Sequence, residues 1–141
     1  MKFLTASLFS LVCATVSVAQ GVDIIHPKSG SRFALGHKFT VELVRNPHIQ
    51  TATEIGIAIG VYSCPSTPCP PPDGALGYVM YAGPYHPESH GVGPQYQNFT
   101  VTLPTNSYYR GKAQLNVVRA FLIGAGPGAA LGTASVPIFL Y

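Results

Sequence analysis

The sequence predicts an all-β protein, and three observations support this fold class. Apolar residues alternate with polar or small residues along seven short segments, which is the period of a strand with one buried face. Thirteen prolines and fifteen glycines separate these segments at the short intervals that turns require. No segment offers a convincing helix. Seven strands in roughly 120 residues predict an immunoglobulin-like or fibronectin-like β-sandwich of about seven strands.

The first half of the chain contains four predicted strands. They are VDII (22–25), KFTVELV (38–44), EIGIAIGV (54–61) and GYVMY (77–81). In the third of these, Ile55, Ile57 and Ile59 alternate with glycine and alanine, so they are expected to share one buried face. Glu42 and Glu54 are expected on the solvent faces of their strands.

The second half of the chain supplies three more predicted strands. They are QNFTVTLP (97–104), AQLNVVRAFLIG (113–124) and SVPIFLY (135–141). The second of these is apolar on both faces in its latter part, as a central or bulged strand is. Pro137 lacks a backbone donor and therefore indicates an edge position for the last strand.

The N-terminal segment has the layout of a secretory signal peptide. Lys2 precedes an uncharged, mostly apolar run, and the small residues Ser17 and Ala19 stand before a cleavage point at Gln20. A membrane anchor is the alternative, but the run is short and contains several Ser and Thr residues. We therefore predict removal of residues 1–19, a single domain over residues 20–141, and a secreted, extracellular protein without a membrane span.

The charge of the mature chain disfavours nucleic acid and acidic lipid as partners. Once Lys2 is removed, seven basic residues remain against five acidic ones, and none of the basic residues form a run. At the other end of the chain, a lipid-anchor signal needs a continuous apolar tail. The glycine-rich segment 124–132 interrupts such a tail here. A C-terminal anchor is therefore also disfavoured.

Cys64 and Cys69 are the two cysteines of the mature chain, because Cys13 leaves with the signal peptide. In an oxidising compartment two cysteines are expected to form one disulfide, here within a proline-rich, protruding loop. The spacing to His86 and His90 also resembles a Cys2His2 zinc finger. However, Pro87 lies between the two histidines and opposes the helix that such a finger needs. Weak metal binding by the histidines alone stays open.

Asn98-Phe99-Thr100 is an N-glycosylation sequon. Asn98 alternates with Phe99 along its predicted strand, so its side chain is expected on the polar face. We therefore expect a glycan at Asn98 that projects into solvent.

No catalytic constellation is visible in the sequence, and neither an enzyme nor a cofactor is predicted. There is no Gly-x-Ser-x-Gly motif and no free cysteine to pair with a histidine. The carboxylates of the mature chain are expected on solvent faces, in loops or near a chain end, which does not predict the facing pair of a glycosidase. They are Asp23, Glu42, Glu54, Asp73 and Glu88.

The chain resembles the fungal necrosis-inducing secreted proteins of the Nis1 family along nearly its whole mature length. The resemblance rests on HPKSGSRFALGHKFTVEL, TEIGIAIGVYS, LGYVMYAGPY, YQNFTVTLP and LNVVRAFLIGAGPGAALGTASVPIFL. It implies a small secreted effector of immunoglobulin-like build. It also implies binding to plant immune receptor-associated kinases, which interferes with immune signalling, and an ability to provoke cell death. The resemblance carries over no catalytic residues.

Two proline-stiffened loops are the expected contact surface for such a host protein. One contains Cys64 and Cys69, and the other carries Tyr85, His86, Glu88 and His90. The alternative function is a carbohydrate or cell-wall polysaccharide binding module without catalysis, because eight tyrosines offer stacking faces for sugars. Four of these tyrosines lie near the second loop. They are Tyr78, Tyr81, Tyr85 and Tyr96.

Overall fold

The computed structural model describes residues 21–47 and 51–141. In this part of the chain eight β-strands form two sheets, and one short 3-10 helix lies between the sixth and seventh strands. The predicted signal peptide, residues 1–19, lies outside the described residues, and the domain bounds 20–141 stay a prediction. The strands are β1 Val22–His26, β2 Ser31–Phe33, β3 Lys38–Arg45, β4 Ala52–Ser63, β5 Tyr78–Gly83, β6 Tyr96–Thr102, β7 Gly111–Ile123 and β8 Gly128–Leu140. The 3-10 helix is Ser107–Tyr109.

The two sheets differ in size and in connectivity. The three-stranded sheet has the order β1-β3-β6, and the five-stranded sheet has the order β2-β8-β7-β4-β5. All neighbours are antiparallel except β2 and β8, which run parallel. The prediction of an all-β protein is confirmed. The finer assignment to the immunoglobulin-like class stays a prediction.

One hydrophobic core lies between the sheets, and alternation along the strands places its residues there. In β3 and β6, for example, Val41 pairs with Phe99 and Phe39 with Val101, and all four side chains are buried. The facing residues of the five-stranded sheet are Ile57, Ile59, Val61, Leu115, Val117, Val136 and Ile138. Burial of this apolar area is the main stabilising contribution.

Seven of the eight strands match predicted segments, and the remaining strand limits the edge position predicted from Pro137 to the part of β8 before Ile138. The short β2 was not predicted, because its three residues carry no clear alternation. It pairs with β8 from Ile138 onwards, so β8 is not an edge strand along its whole length. The carbonyl of Pro137 accepts a hydrogen bond of 2.8 Å from the Gly30 amide. Since β2 begins only at Ser31, no paired strand requires a donor from Pro137.

The segment that follows the cysteines folds back over the outer face of the five-stranded sheet. The Asn116 side chain donates to the carbonyl of Ala75 at 2.9 Å, and the Gln114 side chain donates to that of Pro70 at 3.1 Å. Leu76 lies against Gly60 of β4, where a Cβ would stand 2.6 Å from its carbonyl oxygen. Residues 65–68 are all exposed, whereas further along the segment exposed residues such as Pro71 and Asp73 are interspersed with buried or half-buried ones. The expectation of a protruding loop therefore holds for the disulfide-closed part alone.

Replacing Gly60 by alanine is expected to destabilise the protein, because the new methyl group would meet the Leu76 backbone. Overpacking of this kind costs about 1–3 kcal/mol of unfolding free energy. Urea denaturation measures this loss. Gly126→Ala is the matched control, since no atom lies within 4 Å of its Cβ position and its φ is not positive. Equal stability of the two variants would contradict the packing described here.

Candidate functional site

The longest connection next to the three-stranded sheet is residues 84–95, named here the β5–β6 loop, and it is attached at both ends. At its end, the Arg45 amide donates to the carbonyl of Gln95 at 2.9 Å, and the Arg45 guanidinium donates to the Gln95 side-chain oxygen. Glu88 and Tyr96 exchange two backbone hydrogen bonds of 3.1 Å. The His86 amide donates to the side-chain oxygen of Gln97 at 2.7 Å. The loop is therefore fixed to β3 and β6.

Beneath this loop lies a buried ion pair that the sequence did not predict. Nε of Arg119 donates to one oxygen of Glu54 at 2.7 Å, and a terminal nitrogen donates to the other oxygen at 2.5 Å. The Arg119 side chain is 0% exposed, and its guanidinium lies 4.1 Å from the ring centroid of Phe121. Arg45 approaches the same carboxylate at 3.6 Å. A bidentate pair of this geometry offsets part of the cost of burying both charges.

The expected position of Glu54 on a solvent face was wrong, and a β-bulge is the reason. The pairing of β4 with β7 shifts between Glu54 and Gly56. One extra residue in a strand reverses the faces on its far side. Ile55 is consequently 58% exposed, whereas the Glu54 side chain is only 10% exposed.

Tyr85 was expected on an exposed contact loop, and this expectation was wrong as well. Its side chain is 1% exposed and belongs to the hydrophobic core, with its ring centroid 6.2 Å from that of Phe99. The hydroxyl is buried without a hydrogen-bond partner in the described part of the chain. Burial raises the pKa of Tyr85 to about 12, although the positive charge of Arg119 opposes the rise. Tyr85 therefore anchors the start of the loop.

The other three predicted contact residues, His86, Glu88 and His90, are exposed on the β5–β6 loop. The His90 ring stacks on the Tyr96 ring with 3.9 Å between centroids. Two grooves share this stacked pair. The first, named the apolar groove, measures about 360 Å³ and is lined also by Ile25, Glu42, Val44, Val92, Gly93 and Pro94. The second, named the polar groove, measures about 430 Å³ and is lined also by His86, Glu88, Gln97 and Asn98.

The predicted disulfide between Cys64 and Cys69 is present, with 5.7 Å between the two Cα atoms. The two sulfur atoms are thus bonded to each other, as the disulfide interpretation requires. Within residues 21–47 and 51–141, no three His, Cys, Asp or Glu side chains come together as a metal site would require. Among the same residues, no helix is long and apolar enough to cross a membrane.

Neutralising Glu54 is expected to destabilise the protein strongly. Glu54→Gln leaves the buried Arg119 guanidinium without its carboxylate, and breaking one side of a buried pair costs about 3–5 kcal/mol. Urea denaturation provides the free energy of unfolding. Asp73→Asn removes one negative charge from an exposed loop and is the matched control, expected within about 0.5 kcal/mol of the parent. A loss below about 1 kcal/mol in Glu54→Gln would show that the pair contributes little.

Removing the Tyr85 hydroxyl is expected to stabilise the protein, and more so at alkaline pH. Tyr85→Phe eliminates an unsatisfied buried hydroxyl, which favours the folded state by about 1 kcal/mol. The folded-state pKa of about 12 lies above the ordinary value of 10.0. The unfolded chain therefore loses the Tyr85 proton first, so the stability of the parent falls as pH rises from 10 to 12, whereas Tyr85→Phe is spared this loss.

Urea denaturation at pH 7 and pH 11 tests this expectation. The parent should lose more stability between these two pH values than Tyr85→Phe does. Tyr108→Phe is the control, because Tyr108 is 69% exposed. If all three proteins lost the same free energy of unfolding between pH 7 and pH 11, the role assigned to Tyr85 would be contradicted.

Comparison with known proteins supports the resemblance seen in the sequence. No curated protein matches the chain. A protein family does match, over residues 17–138, and this range covers most of the chain, including every strand except the last two residues of β8. The chain therefore belongs to the Nis1 family.

Proposed function

We propose that this protein is a small secreted fungal effector that binds a host protein and interferes with immune signalling or provokes cell death. Membership of the Nis1 family is the observation that carries the proposal, because it fits a necrosis-inducing, effector-like protein. The Cys64–Cys69 disulfide is consistent with secretion. The partner is a plant immune receptor-associated kinase, as the family resemblance implies. The protein acts by binding, without catalysis.

The apolar groove is the proposed contact surface. Val92 is fully exposed at the groove, although its side chain is apolar, and Ile25, Val44 and Pro94 line the same groove. An exposed apolar surface that is contiguous and bounded by polar groups is typical of protein-binding sites. The β5–β6 loop is attached through Tyr85 and the bonds to Gln95, so little conformational entropy is lost when a partner binds.

A second function, binding of cell-wall polysaccharide, is supported by another surface. Tyr78 and Tyr108 are both exposed, and both contact the ring of Tyr109, at 5.9 and 5.2 Å between centroids. Sugar rings pack their apolar faces on aromatic side chains of this kind. Of the other predicted tyrosines, Tyr81 packs against the core, and Tyr96 lines the two grooves with His90 and is not part of this cluster. Retention on chitin, cellulose or β-glucan that Tyr108→Ala abolishes would favour this second function.

The effector proposal predicts a change in the oxidative burst of leaves challenged with a microbial elicitor. Leaves that express the protein should show a suppressed burst, compared with leaves that express an unrelated secreted β-sandwich. Val92→Asp should restore the burst, because a buried aspartate at the contact would weaken partner binding by tenfold or more, about 1.4 kcal/mol.

Val79→Asp is the matched control, since it places the same change at another exposed valine, in the five-stranded sheet. This control should still suppress the burst. Equal suppression by both variants would remove the apolar groove from the proposal. An unchanged burst with the parent protein, once its expression is verified, would overturn the effector function itself.

A further inference from the structure

Asn98 lies inside the polar groove, next to an aromatic side chain of its own strand. Tyr96 and Asn98 are two residues apart in β6, and such residues point to the same face of a sheet. The next residue, Phe99, is buried in the core, so Asn98 projects outwards, and it is exposed. Both Tyr96 and Asn98 line the polar groove. The Asn98 side chain, to which the sequon would attach a glycan, therefore faces the polar groove directly.

We propose that the polar groove is the binding site of the protein's own N-linked glycan, attached to Asn98. In the attachment reaction the co-reactant is a lipid-linked oligosaccharide pyrophosphate. The side-chain nitrogen of Asn98 forms a bond to C1 of the first N-acetylglucosamine, while the bond from C1 to the pyrophosphate oxygen breaks. The amide proton passes to a base of the transferase, and the lipid pyrophosphate leaves. Thr100 supplies the hydroxyl that the sequon requires.

The lining of the polar groove fits the first sugar of such a glycan. One wall is the stacked pair of His90 and Tyr96, which offers aromatic surface to the apolar face of the sugar ring. The rest of the lining includes His86, Glu88 and Gln97, whose polar groups can hydrogen-bond to the hydroxyl and N-acetyl groups. A sugar tethered to Asn98 is held within reach of this lining, so its effective concentration there is high.

The sugar would stabilise the β5–β6 loop on β6. It would contact His86, Glu88 and His90 of the loop and Tyr96 of the strand at the same time, which adds to the backbone bonds between Glu88 and Tyr96. Val92 is not part of the polar groove and would stay uncovered. The two grooves share the His90–Tyr96 pair, but the inference does not rest on the proposed function, since Tm tests the one and the oxidative burst tests the other.

Protein secreted from a eukaryotic host tests the inference, in three forms. These are the parent, Thr100→Ser, which keeps the sequon, and Thr100→Val, which removes it but keeps a β-branched side chain. Intact mass should show a glycan on the first two forms and none on the third. An endoglycosidase then trims the glycan to a single N-acetylglucosamine. The trimmed parent should melt about 2–6 °C above Thr100→Val, whereas Thr100→Ser should match the parent after trimming.

A second comparison separates a sugar in the groove from a sugar in solvent. Tyr96→Val should reduce the Tm difference between trimmed and sequon-free protein to near zero, while Tyr96→Phe should preserve it. If Tyr96→Val fails to fold, His90→Ala removes the other half of the stacked wall from an exposed position. A chain without a glycan would overturn the inference. A glycan that does not change Tm would also overturn the inference. The same holds if the glycan changes Tm by the same amount in Tyr96→Val and His90→Ala as in the parent.

Discussion

The buried ion pair between Glu54 and Arg119 connects the core of this protein to its candidate contact surface. Arg119 is on β7 and Glu54 on β4, so the pair first joins two neighbouring strands of the five-stranded sheet. The same carboxylate attracts Arg45, which is on β3 of the other sheet. Arg45 in turn binds the end of the β5–β6 loop through Gln95. One carboxylate thus links both sheets and the loop.

Burying the Glu54–Arg119 ion pair costs hydration free energy, and the neighbouring groups offset part of this cost. Charges lose hydration when they are buried, and a carboxylate shared by two guanidinium groups recovers part of that loss. The ring of Phe121 covers the Arg119 guanidinium, which adds a cation–π contribution. Tyr85 is buried near the same charges and brings the start of the loop into the core. The loop is thereby held in one conformation without a disulfide of its own.

The two grooves beside the β5–β6 loop differ in chemical character because their lining residues differ. The stacked rings of His90 and Tyr96 belong to both grooves. Around Val92 the surface is mainly apolar with Glu42 beside it, which suits a protein partner, whereas around Asn98 it is polar, which suits a sugar. Val92 lies in the β5–β6 loop and Asn98 lies in β6 six residues later, so one short stretch of chain presents both.

The fold class, seven of the strands and the disulfide could be predicted from the sequence, because each depends on local alternation or on residues close in the chain, and the family could be recognised from segments along the chain. Phe39, Val41, Phe99 and Val101 are buried as their alternation requires. The position of Glu54 was decided only by tertiary structure, since one bulged residue reverses the faces of β4 and leaves no mark in the sequence pattern. The buried ion pair, the core position of Tyr85 and the two grooves were likewise decided there, because each needs strands that are far apart in sequence to meet in register.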